Sequence, residues 1–222
     1  MVPSSTVGKK ILMAVTGQFM VLYVLAHVLG NSTIYVNAIN AYADGLRHWP
    51  YVLVLWPSRT LLFLSVVLHA WFGVLLTLEN REAKPAAYAV TNYQNASFAG
   101  RSMIWTGAVI GLFLVYHILH FTLQVTQPEL AAVRHPDALG RPDVFTMVVK
   151  SFQHAGMAAL YVTGVLSLGL HLLHGIQSSV QTWGLTNDRS LPIIVKTGTI
   201  AAIVLFLGYA AIPLSILTEL LK

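Results

Sequence analysis

The chain has 222 residues, of which 56% are hydrophobic and only 9% charged, with a net charge of +5 and no cysteine. An ordinary soluble domain carries roughly a quarter of its residues as charges, so this composition excludes one and points to an integral membrane protein. The missing thiols exclude protein-ligated iron–sulfur clusters, covalently attached c-type haem and disulfides, and no basic stripe interleaved with aromatics suggests nucleic acid.

In chain order, apolar windows long enough to span a bilayer cover 10–30, 58–79, 102–125, 154–180 and 192–220. The first follows MVPSSTVGKK, a basic-then-apolar layout shared with signal peptides, but its run is long and lacks a small-x-small cleavage site, so it reads as a span. The first four each carry histidine. The fifth carries none; Pro213 should kink it, and its faces are expected to close the bundle. Because lipid admits only structures that satisfy their own backbone, the expected fold is an all-α integral membrane protein, one domain over 1–222, a bundle of five transmembrane helices.

Loop charges set the expected orientation. Lys9, Lys10, Arg81, Lys84, Arg101, Arg189 and Lys196 fall on the side of the N-terminus, against Arg47, Arg59, Arg134, Arg141 and Lys150 on the other. The bias puts the N-terminus in the cytoplasm and the C-terminus outside.

Two repeats lie inside the spans. Ser65-x-x-x-His69-x-x-x-Gly73 in the second matches Ser167-x-x-x-His171-x-x-x-Gly175 in the fourth, and steps of four stay on one helical face, so each histidine is bracketed by small residues. Met13-x-x-Thr16-Gly17 followed by His27 matches Met103-x-x-Thr106-Gly107 followed by His117. Each threonine is about three turns before its histidine and is placed to bond its hydroxyl back to the helix.

Alternating span directions put His27 and His117 in an outer tier and His69 and His171 in an inner one, roughly 10 Å away by helix rise. Two tiers of paired imidazoles across a bundle suggest two stacked haems with bis-histidine iron, lined by Thr16, Thr106, Ser65, Gly73, Ser167 and Gly175. Zinc would need three or four converging ligands. A lone histidine in a span is as readily a packing residue as a ligand; four matched positions favour ligands. His120 and His174 stand one turn beyond His117 and His171 on the same faces, and only the repeats choose between them. His48, His135 and His154 read as interfacial or surface residues.

The order SSTVGKKILMAVTG, AHVLGN, NAINAYADGLR, LHAWFGV, YHILHF and LHLLHGIQSSVQTWG resembles, over essentially the whole chain, the one-polypeptide, five-helix, dihaem cytochrome b subunit of succinate dehydrogenase and fumarate reductase. That family takes its haem ligands from the first four spans, which the match carries onto His27, His69, His117 and His171. The resemblance implies two haem b groups, proximal on His69 and His171 and distal on His27 and His117. It implies flavoprotein and iron–sulfur partner subunits, a bacterial cell membrane, and electron delivery to a quinone, usually menaquinone. Some fumarate reductases of the family carry a glutamate two residues before the fourth-span ligand; here that position is Gly169, which favours succinate oxidation.

Quinone reduction needs polar groups near a haem edge, and His48, Tyr51 and Arg59 are the outer-side candidates, each equally readable as an interfacial anchor. For haem propionates, Lys9, Lys10, Arg81, Arg101 and Ser102 are within expected reach on the inner side and Arg59 and Arg134 on the outer. The competing readings are a cytochrome b anchor of a hydrogenase or formate dehydrogenase, which the chain-wide motif order disfavours, a haem-free transporter, which would need acidic partners inside the spans, and a haem-free anchor, which would be expected to have lost some of the four histidines.

Overall fold

The computed structural model describes residues 5–83 and 97–222; Lys84, one of the charges counted above, lies outside them. The chain is about 80% helical, with no strand among the described residues. Helix α1 (Thr6–Asn31) starts where Ser5 accepts from the Gly8 amide at 3.1 Å and continues into a 3₁₀ turn, Ser32–Val36. A short α2 (Ile39–Gly45) follows, then α3 (Val52–Glu82), a single turn α4 (Phe98–Arg101) and α5 (Met103–His117), which runs into a π turn at Ile118–Thr122. Helix α6 (Val144–Phe152) precedes α7 (Ala155–Thr182) and α8 (Ser190–Leu217).

Helices α1, α3, α5 with its π turn, α7 and α8 are long and apolar enough to cross a membrane, and they overlap the five windows read from the sequence. Pro57 and Pro213 sit inside α3 and α8, near the start of one and the end of the other. There each forfeits a backbone hydrogen bond where the fewest turns depend on it.

The packing order positions the site. Helix α1 packs on α3 and α7, α5 packs on α7 and more sparsely on α3, and α8 lies along α7 and touches α1. The first four spans therefore form a square with α1 diagonal to α5 and α3 diagonal to α7. Val28, Leu172, Ala202 and Leu205 fill the seam between α1, α7 and α8.

The sequence did not announce a cap over one end of this square. Ile34 and Ile39 from the chain after α1, Val148, Val149 and Phe152 from α6, Tyr161 from α7, and Ile212 and Ile216 from α8 form one buried cluster. Helix α6 is amphipathic: Met147 to Val149, Ser151 and Phe152 are buried while Lys150 faces out. Asn40 of α2 ties the cap together, donating to Asp143 (3.0 Å) and Asp137 (3.3 Å) and accepting from the Phe145 amide at 2.8 Å. At the opposite end, which we call the N-terminal end, Lys9 of α1 pairs with Glu79 of α3.

Candidate functional site

The four repeat histidines meet in two pairs, each across a diagonal of the square. His27 on α1 and His117 on α5 have ring centroids 5.9 Å apart, and His69 on α3 and His171 on α7 have centroids 6.1 Å apart. With a metal–nitrogen bond of about 2 Å, two imidazoles on opposite sides of one metal have centroids roughly 6 Å apart. No group of three or more potential metal-binding His, Cys, Asp or Glu side chains forms among the described residues, so the imidazoles stand in twos.

The second repeat has a role that spacing alone did not reveal. His69 donates from Nδ1 to the Met13 carbonyl at 3.0 Å, and its ring lies so close to Gly17 that a Cβ there would be 3.1 Å from it. His171 has the matching seat on α5, with Nδ1 3.1 Å from Thr106 Oγ1 and its ring 3.5 Å from where a Gly107 Cβ would stand. Met-x-x-Thr-Gly is thus the seat for a histidine on the neighbouring helix. Thr106 and Thr16 lie behind the inner pair, and both hydroxyls turn back to their own helix: Thr16 to the Leu12 and Met13 carbonyls, Thr106 to those of Ser102 and Met103.

These bonds fix the inner tautomers. A carbonyl only accepts, so His69 carries its proton on Nδ1; the Thr106 proton is committed to its helix, so His171 also donates from Nδ1. Both imidazoles keep the Nε2 lone pair, the form in which a second-layer bond holds a metal ligand. One turn on, at Gly73 and Gly175, an added Cβ would meet nothing within 4 Å. Ser65 is buried, and Ser167 bonds back to the Thr163 carbonyl at 3.1 Å.

The other pair sits near the cap in a jacket of rings. Tyr23 stacks on His27 (5.6 Å, 14° between planes), Tyr209 of α8 lies 6.1 Å from it, and Phe113, Phe121 and Tyr161 each lie 5.9 Å from His117. His117 Nδ1 is buried without a hydrogen-bond partner, and His27 Nε2 is 3.3 Å from Asn31 Nδ2. A metal held through that nitrogen would have to displace the Asn31 contact. His27 and His117 each lie ten residues past the glycine that seats an inner histidine, so the tiers are roughly 15 Å apart by helix rise, further than the spans alone suggested.

The π turn separates His117 from His120. By α-helical spacing the two share a face; in the structure His120 points away and both of its nitrogens are used, Nδ1 by the Tyr161 hydroxyl and Nε2 by Gln127 Oε1, each at 2.8 Å. His174 is packed near Gly100 and joins no histidine pair.

The chain matched no protein-family model, curated protein or solved structure.

The remaining candidates are engaged locally. His48 and Tyr51 are exposed ahead of α3, with His48 Nδ1 bonded to the Asp44 carbonyl at 2.8 Å, and Arg59 lies over the Trp56 ring at 5.3 Å. His135 Nε2 donates to the Glu129 carbonyl, and His154 is exposed at the start of α7. Of the charges considered for propionates, Lys9 is taken by Glu79, while Lys10, Arg81 and Arg134 are exposed. Two residues escaped sequence reasoning. Tyr209, from the span without histidine, donates to the Val24 carbonyl at 2.7 Å, and Gln18 of α1 bonds Ser179 of α7; a polar side chain inside an apolar span was the available signal for both.

The donor set fits haem iron. The inner pair offers two imidazoles with free Nε2 lone pairs at that separation and open space at Gly73 and Gly175, and the outer pair offers about the same separation inside a jacket of aromatic rings.

Proposed function

We propose that the chain is the dihaem cytochrome b membrane-anchor subunit of a succinate dehydrogenase. It would connect flavoprotein and iron–sulfur partner subunits to a membrane quinone, with menaquinone the expected one. The carrying observation is the pair of diagonal contacts, His27–His117 and His69–His171, at the separation two imidazoles take on one metal. The motif order adds the family, and the five apolar helices are compatible with a multi-pass membrane protein. The loop-charge bias favours a cytoplasmic N-terminal end and an outside C-terminus, and the resemblance supports a bacterial cell membrane with the iron–sulfur partner next to that cytoplasmic end.

Bound haem b supplies a one-electron iron couple at each tier. The chain's own residues do the rest. His69 and His171 hold the inner group while Met13 and Thr106 fix their tautomers, and Gly73 and Gly175 leave room beside them. His27 and His117 hold the outer group, and Tyr23, Phe113, Phe121 and Tyr161 exclude water from it. His48, Tyr51 and Arg59 remain the quinone-site candidates at the cap end.

A pyridine haemochrome assay on the complex tests this reading. Two protohaems per chain are expected, falling to about one when either member of a pair is replaced by alanine and to none when one member of each pair is replaced. A value near zero in the unaltered complex would remove the electron-transfer reading.

A further inference from the structure

One buried imidazole is left without a task by the haem reading. His120 is 2% exposed, sits in the π turn that follows His117, and has both ring nitrogens bonded. Gln127 Oε1 accepts a second bond, from Ser151 Oγ at 2.9 Å, and Ser151 is fully buried. One ring therefore joins the turn after α5, the loop at Gln127, the cap helix α6 through Ser151, and α7 through Tyr161.

The protonation pattern follows from the partners. Gln127 Oε1 can only accept, so His120 donates from Nε2, and its Nδ1 lone pair accepts a hydrogen bond from the Tyr161 hydroxyl. This is the reverse of the inner-pair tautomer, and it leaves His120 no lone pair for a metal. Its ring stacks on Phe121 at 4.0 Å and 23°, and Phe121 and Tyr161 are two of the rings packed around His117. A π turn inserts an extra residue into the helix, so the direction of every side chain beside it depends on what holds the turn. Two buried hydrogen bonds and a stacked ring hold this one.

We propose that His120 is the positioning residue of the outer pair: locked between Tyr161 and Gln127, it holds the π turn and sets the direction from which His117 faces His27. It also ties that direction to the cap through Ser151. The proposal rests on the haem reading only for what His117 holds; the lock itself is a property of the chain.

Two measurements test it. In the purified complex, His120→Gln and Tyr161→Phe should retain two haems while shifting the electron paramagnetic resonance signal and midpoint potential of the outer haem and leaving the inner haem unchanged. His120→Phe, which removes both bonds, should lower the content from two haems to one. Unaltered signals in the first two variants, or equal shifts in both haems, would overturn the proposal. The second measurement needs no haem. In the chain labelled with ¹⁵N-histidine, the Tyr161→Phe variant and the parent should identify His120 as protonated on Nε2 with an accepting Nδ1 that loses its donor in the variant. A proton on Nδ1 would overturn the lock even if both haems are present, and absence of haem with the expected tautomer would overturn only the functional reading.

Discussion

At the scale of single residues, tautomer is what distinguishes the histidines. His171 keeps its Nε2 lone pair because its Nδ1–H donates to Thr106 Oγ1, so Thr106→Ala should cost about 0.6 kcal/mol, the average for hydrogen bonds between membrane helices, and at most about 1.7 kcal/mol. It should also shift only the inner haem's spectrum, with Thr106→Ser restoring both; thermal unfolding and electron paramagnetic resonance check this. In the cap, the side-chain bond from Arg141 lowers the pKa of Asp137 to about 2 from 3.8, helped by the Arg141 and Leu139 amides and Asn40. Burial pushes Asp143 up, but its bonds from Thr146 and Asn40 leave it below its ordinary value. A depressed carboxylate favours the fold when ionised, so Asp137's contribution is complete above about pH 4 and is lost as the pH falls through about 2. Asp137→Asn should flatten the thermal midpoint against pH in that window. The four paired histidines were legible because the repeats matched, whereas Asp137 and Asn40 were not: their bonds join loop and helix far apart in the chain, and no periodicity marks such a contact.

At the scale of helices, glycines divide into those that make room for protein and those that face open space. A Cβ at Gly164 of α7 would lie 2.5 Å from the Phe113 ring, which itself packs on His117. Gly164→Ala should therefore cost about 1–3 kcal/mol by overpacking and reduce outer haem content. Gly73 and Gly175 are the opposite case, because alanine there meets no protein atom. Gly73→Ala and Gly175→Ala should leave the haem-free helices as stable as before while lowering inner haem occupancy, measured as protohaem per chain beside the unfolding midpoint. A loss of stability without loss of haem would mean that these glycines serve helix packing instead. The spans themselves could be read from hydropathy, since length and apolarity dictate them. The π turn could not: YHILHF reads as ordinary helix, and the turn is defined by tertiary bonds to Tyr161 and Gln127. Helix α6 was missed because it is short and lies among polar loop residues, its amphipathic stripe completed by packing on Ile34, Ile39 and α8.

At the scale of the whole molecule, the square of helices explains why two different repeats exist. Helices α1 and α5 each carry a histidine for one tier and a Met-x-x-Thr-Gly seat for the other, so they hold the outer pair directly and the inner pair from behind. That double duty predicts asymmetric damage. His69→Ala should lose the inner haem and spare the outer spectrum, whereas replacing Gly17 with leucine, which fills the seat against His69, should disturb the inner haem from a helix that does not ligate it; spectra of the two variants check the contrast. The number of spans and the membership of the tiers were open to reading from the sequence, but which helices lie diagonal is a property of packing and was not. The diagonal has a consequence for biosynthesis. No two consecutive spans hold a complete pair: His27 on α1 waits for α5, and His69 on α3 waits for α7. A chain emerging into the membrane can form no helical hairpin that brings a histidine pair together, so under the haem reading proposed above insertion of the rings would follow insertion of the helices, with the outer pair completed one span before the inner.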